Sequence, residues 1–133
     1  HYIMTCGHPP EGDDLRMIGE YALAGALLDD EARSEYLREG GRAVLSVCEW
    51  FDGRGAPRGL KGDDIPFSAR IIAIADAFDL MFAEKACGVS DFDCAMAQIR
   101  ERSGTQFDPA LTAVFMKSED EVRSIGLGRG EFF

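Results

Sequence analysis

Apolar residues recur at helical spacing along most of the chain. Leu15, Ile18, Ala22 and Ala26 stand three or four positions apart, and Leu23 and Leu27 widen the stripe. That pattern predicts an amphipathic helix from about residue 13. Asp13 and Asp14 open it, where carboxylates favour the positive end of the helix dipole. Asp29, Asp30 and Glu31 suit a break and a new helix start. The next helix carries Tyr36 and Leu37 and is expected to break or bend at Gly40-Gly41. Val44, Val47, Cys48 and Phe51 extend helical spacing from Arg42 to Phe51. From Phe67 to about Ala83, Ile71, Ile74, Ala75, Phe78 and Phe82 form one stripe, widened by Ile72 and Met81, and predict the central core helix.

Ser90 reads as an N-cap with Asp93 three residues on. Phe92, Ala95, Met96 and Ile99 line the helix that follows as far as Arg102, with Gly104 just past its end. Asp108-Pro109 is an N-cap with proline at the first helical position; Leu111, Val114 and Phe115 are predicted to point inward. The charged residues after Ser118 add one or two helical turns. Residues 1–12 are predicted irregular. So is the stretch 52–66, DGRGAPRGLKGDDIP, with four glycines and two prolines. No alternating strand pattern exceeds four residues. The fold class is therefore all-α, a helical bundle of five to six helices forming a single domain over 1–133.

Charge and cysteine content narrow what such a bundle does. Twenty-four acids face fourteen bases, for a net charge of −10 in 133 residues. Nucleic-acid and anionic-membrane partners need clustered Lys and Arg and are excluded on that ground. The acids divide 13 and 11 between residues 1–64 and 65–133, so the acidity is spread evenly. Against it, Arg54, Arg58 and Lys61 form a local basic island. Cys6, Cys48, Cys87 and Cys94 make no C-x-x-C pair and read as reduced thiols of a cytoplasmic protein. The chain starts at His1, without Met, as an excised or processed domain does. No stretch has the 18 or more apolar residues of a membrane span.

The stretch Glu49 to Asp79, EWFDGRGAPRGLKGDDIPFSARIIAIADAFD, resembles the signature of HD-GYP domains, a bacterial branch of the HD superfamily of metal-dependent phosphohydrolases. That signature reads HHE-x-x-DG-x-GYP-x-GL-x-G-x-x-IP-x-x-ARI-x-x-x-AD-x-FDA, and the spacing holds without a gap. Gly104-Thr105-Gln106-Phe107-Asp108-Pro109 resembles the family's G-x-x-FDP segment. The similarity covers roughly 42–116. It implies hydrolysis of cyclic di-GMP at a multi-metal centre of iron or manganese, which generates a hydroxide nucleophile and neutralises phosphate. The implied ligands are an early His-Asp pair, the histidine of an H-P-x-x-G segment, the paired histidines of HHE and the aspartate of the A-D step.

Here the HHE triplet reads Val47-Cys48-Glu49, and no His-Asp dipeptide exists in a chain with two histidines. His8-Pro9-Pro10-Glu11-Gly12 matches H-P-x-x-G, and Asp76 falls on the A-D step. His8, Cys48, Glu49 and Asp76 are thus the metal ligands available to a weakened enzyme completed by residues outside this chain. The GYP tyrosine is Ala56, and the segment after the central helix keeps only Lys85 of the family's basic character. The resemblance thus implies an HD-like fold without the N-terminal helices that carry the HD motif.

The expected function is a catalytically inactive regulatory or protein-interaction module of bacterial cyclic di-GMP signalling, needing no cofactor. Its partner loop comprises Asp52, Gly53, Arg54, Gly55, Pro57, Arg58 and Lys61, with Arg70 and Lys85 nearby. Asp52 is expected to close the turn by bonding its own backbone two residues on. Family precedent suggests a partner signalling domain such as a diguanylate cyclase (GGDEF) domain. A sensor that binds cyclic di-GMP without cutting it, through Arg54, Arg70 and Lys85, is the alternative. The apolar central helix needs cover, which predicts a homodimer.

Overall fold

A computed structural model describes residues 8–31, 34–83 and 91–132. Among them are six α-helices, one 3-10 turn and no β-strand: α1 (Asp13–Glu31), α2 (Glu35–Ser46), the turn Gly62–Asp64, α3 (Phe67–Ala83), α4 (Asp91–Glu101), α5 (Pro109–Lys117) and α6 (Glu119–Phe132). Lys85, Ser90, Cys6 and Cys87 lie outside the described residues. Among the described residues no helix is long and apolar enough to cross a membrane.

α1 and α2 pack along each other. Ser34 caps α2 by accepting from the Leu37 amide at 3.3 Å. Gly40-Gly41 neither breaks nor bends this helix. Its backbone runs through both glycines; Gly40 is exposed with open space around it, and only Gly41 serves close packing. Gly41 is buried under α1, and a Cβ on the facing Gly25 would lie 2.7 Å from the Gly41 carbonyl oxygen. The predicted continuation of this helix to Phe51 fails. α2 stops at Ser46, and the chain turns so that Glu49 faces the following loop.

α3 packs against α2, α4 and α5 and is central, as its length and hydropathy predicted. Its inner face differs from the predicted stripe. Ala69, Ala73, Ala77, Ile74 and Met81 are buried, while Ile71 and Ile72 are exposed. Alanine at every fourth position lets neighbouring helices approach closely, which pushes the bulkier isoleucines outward. The main core joins Ala73, Ile74, Ala77 and Met81 of α3 to Ala95 and Ile99 of α4 and to Phe107. Phe78 anchors one end of it. Its ring stacks on Phe82 at 6.0 Å and meets Phe92 and Phe115 edge-on at 5.5 and 5.4 Å. Such aromatic pairs add stabilisation beyond the area they bury.

α5 begins as predicted. Asp108 Oδ1 accepts from the amides of Ala110 (2.8 Å) and Leu111 (3.3 Å), with Pro109 in the first turn. Gly104 has φ +80°, which suits glycine at the exit from α4. α6 is longer than the one or two turns expected. Cys94 is disulfide-bonded, against the expectation of four reduced thiols, and Cys48 is a free thiol. A disulfide depends on Cα separation in space, which sequence spacing does not report.

Candidate functional site

The loop from Val47 to Pro66 is an ordered platform held by named bonds. Glu49, 3% exposed, is its centre. One carboxylate oxygen accepts from the Arg58 amide at 2.8 Å and the other from the Leu60 amide at 3.0 Å. Gly55 lies against the backbone of residues 48–50, so close that a Cβ would sit 2.6 Å from the Cys48 carbonyl oxygen. Only glycine allows that approach. Gly53 and Gly59 have φ of +89° and +66°. The Ala56-Pro57 peptide is cis. Ala56 is buried beside Ile18 and Cys48, which fastens the loop to α1.

The basic island is partly spent on this architecture. Asp52 closes the turn as expected, accepting from the Arg54 amide at 3.0 Å. It also pairs with Arg54 Nε at 2.6 Å, and the Arg54 guanidinium lies over the Trp50 ring. Arg58 donates to the Ser46 hydroxyl at 2.9 Å, and Ser46 is itself buried. Sequence reasoning missed Ser46, since a serine within an apolar helical pattern carries no signal of a loop contact made twelve residues on. Lys61 is exposed. Arg70 is tied on several sides. Nη1 pairs with Asp108 at 2.7 Å and with the exposed Asp63 at 3.1 Å, while Nε donates to the Ile65 carbonyl. It joins the 3-10 turn, α3 and the α5 cap.

Of the four residues named as metal ligands, Cys48, Glu49 and Asp76 are neighbours, but they do not form a metal-holding group. His8 is exposed, with Nδ1 3.0 Å from the Pro9 carbonyl oxygen. Both oxygens of Glu49 serve the loop. Cys48 packs against the main core, and burial, with the nearby carboxylates of Asp76 and Glu49, pushes its thiol up to about 11. Metals bind the thiolate, which this setting opposes. Among the described residues no three His, Cys, Asp or Glu side chains are placed to hold a metal ion. The donor set present does not fit the iron or manganese centre that the HD resemblance implies.

Asp76 is exposed on the outer side of α3. There it borders an open groove of about 430 Å³ between α3, α5 and α6. Ile71, Ile72, Phe82, Phe115, Val122 and Ile125 supply its apolar walls, and Asp76 and Asp79 are the acids among its lining. The groove escaped sequence reading because it depends on α6, which was expected to be short.

An HD domain model matches residues 11–111. The chain belongs to the HD domain family. Over 114 residues it is 29% identical to a cyclic di-GMP phosphodiesterase of Thermotoga maritima, covering 85% of this chain and 31% of that protein. Over 119 residues it is 34% identical to a cyclic di-GMP phosphodiesterase of Vibrio cholerae, covering 89% of this chain and 23% of the relative. Among solved structures, the crystal structure of a cyclic GMP-AMP specific phosphodiesterase of V. cholerae superposes with a TM-score of 0.67 at 27% identity. That match covers 89% of this chain and 27% of the neighbour. The chain thus spans less than a third of each of these proteins. The all-α HD fold follows from these matches.

Proposed function

We propose that this chain is a non-hydrolytic HD module of cyclic dinucleotide signalling, acting through protein contact rather than phosphodiester cleavage. Its relatives' activities support the signalling assignment. The observation that carries the non-hydrolytic reading is the fate of the HHE triplet. Val47 and Cys48 replace two imidazoles and pack against the core, and the remaining carboxylate, Glu49, holds the loop with both oxygens. Metal-assisted hydrolysis needs several converging nitrogen and oxygen ligands with an open position for water. His8 and Asp76 do not supply that set.

The contact surface we assign is the platform Asp52–Lys61, a rigid, locally basic edge on a chain of net charge −10. Such a contrast suits an acidic patch on a partner signalling domain. The competing sensor reading is disfavoured by Arg70, which is engaged with Asp108 and Ile65 rather than turned toward a ligand. Purified protein supplied with Mn²⁺ or anaerobic Fe²⁺ is expected to leave cyclic di-GMP and bis(p-nitrophenyl) phosphate uncut. Metal-dependent turnover abolished by Asp76→Asn would overturn the proposal. Calorimetry with cyclic di-GMP is expected to give no heat of binding, and a saturable site would restore the sensor reading.

A further inference from the structure

We infer that the groove between α3, α5 and α6 is a docking site for an amphipathic helical segment bearing a cationic side chain, which pairs with Asp76. The groove follows α3 from Ile71 to Phe82, about 16 Å or three helical turns at 1.5 Å per residue. That length suits a short helix presenting apolar residues at i, i+3, i+4 and i+7, the helix-in-groove mode of recognition. Ile72 is 42% exposed and Ile125 68% exposed. A contiguous apolar surface of this kind, rimmed by charge, marks an interaction site on a soluble domain.

Charge complementarity selects the occupant. Among the described residues the charged ones in the lining are Asp76 and Asp79. Asp76 carries the argument because Asp79 is already engaged within the chain, whose net charge is −10. An isologous dimer across α3 would bring these carboxylates toward their own symmetry mates, and like charges juxtaposed at an interface are unfavourable. The same acids oppose an anionic lipid surface. A partner helix with Lys or Arg at the edge of its apolar face satisfies both features of the groove. Asp76 would thereby hold an organic cation where the HD resemblance implies a metal. The inference rests on the non-hydrolytic reading to that extent, since one carboxylate cannot serve both.

The probe is a synthetic 14-residue helical peptide with leucines at i, i+3, i+4 and i+7 and one lysine flanking them. Its twin carries glutamine in place of that lysine. Fluorescence anisotropy with the whole chain at 150 mM salt is expected to give at least fivefold tighter binding of the lysine peptide. Asp76→Asn should bring the two peptides within about twofold of each other. Ile72→Asp, and separately Ile125→Asp, should weaken both more than about tenfold, as expected for a charge placed in an apolar contact. Asp13→Asn with Asp14→Asn, on α1 away from the groove, should change neither. All these side chains are at or near the surface, and thermal melts report whether each variant is folded.

No binding of either peptide would overturn the inference. So would a preference that survives Asp76→Asn, or one lost equally in the α1 variant. A dimer seen by light scattering and dissolved by Ile72→Asp would instead make a second copy the occupant and overturn it as well. Metal-dependent hydrolysis by the same sample would sink the non-hydrolytic reading, whereas loss of peptide selectivity alone would sink only this inference.

Discussion

Replacing Glu49 separates a structural carboxylate from a metal-binding one. Its two oxygens accept separate backbone amides, at 2.8 Å from Arg58 and 3.0 Å from Leu60, and the residue is 3% exposed. Glu49→Gln keeps one acceptor and turns an amide NH₂ toward the other N–H donor. The change removes one hydrogen bond to a charged group, worth about 1.5–3 kcal/mol, and leaves a donor facing a donor. Water reaches the exposed Arg58 edge and offsets part of the loss, so the expected cost is about 2–3 kcal/mol. For a chain of this size that corresponds to a fall in Tm of roughly 8–12 °C. Urea unfolding followed by circular dichroism, without added metal, measures it. Hydrogen exchange at the amides of residues 58 and 60 should accelerate in step. If Glu49→Gln melts within about 2 °C of the parent, the latch contributes little, and the carboxylate must be explained by a ligand instead.

Arg70→Met should cost about 2–4 kcal/mol in the same unfolding assay, because Asp108 keeps its charge in a nearly closed site without its partner (side chains 13% and 7% exposed). A cost under 1 kcal/mol would mean water solvates Asp108 freely. Gly55→Ala should destabilise by more than about 2 kcal/mol through backbone overlap, and Gly59→Ala by about 1 kcal/mol through its positive φ alone. The reverse order would contradict the packing described for the loop. Burial and nearby acids raise the folded pKa of Cys48 from 9.0 to about 11. Its contribution to stability is therefore complete below pH 9 and is lost between pH 9 and 11, as the unfolded thiol ionises first. Alkylation of the native thiol should stay slow at pH 8, and rapid labelling there would refute the shift.

Helices whose caps and apolar periodicity agree were legible in the chain. α3 and the start of α5 follow the predicted bounds because Pro66 and the Asp108-Pro109 pair punctuate strong apolar runs. The end of α2 was not legible. Val47, Cys48 and Phe51 continue a helical spacing, yet the chain leaves the helix at Ser46. The competing influence is non-local: Glu49 reaches two amides nine and eleven residues on, which no short window contains. The outward turn of Ile71 and Ile72 was hidden for a similar reason. Periodicity says that a helix has an apolar side but not whether alanines or isoleucines take the close contact. The disulfide at Cys94 illustrates the same limit for covalent contacts.

The candidate site was legible as a motif, but the work of its residues was not. Glu49 and Arg70 belong to motif steps that the HD resemblance links to metal and phosphate, yet here each closes a local structural circuit. Glu49 gathers the loop, and Arg70 joins the 3-10 turn to the cap of α5. Val47 and Cys48, which stand in the histidine positions, pack against the core that α3 and α4 share. Ala56, in the tyrosine position, is buried against Ile18. The substituted positions have thus become interior surface, and the retained ones are those whose bonds shape the backbone. This division explains how the loop between Glu49 and Pro66 can keep the motif spacing through bonds of its own. The loop is held by its own carboxylate, glycine contact and arginine pairs. Asp76 is the exception, because it is exposed, borders an apolar groove and makes none of the loop's bonds. A carboxylate in that position has no structural circuit to close, which is why the groove beside it offers a second contact surface, separate from the one assigned to the motif loop.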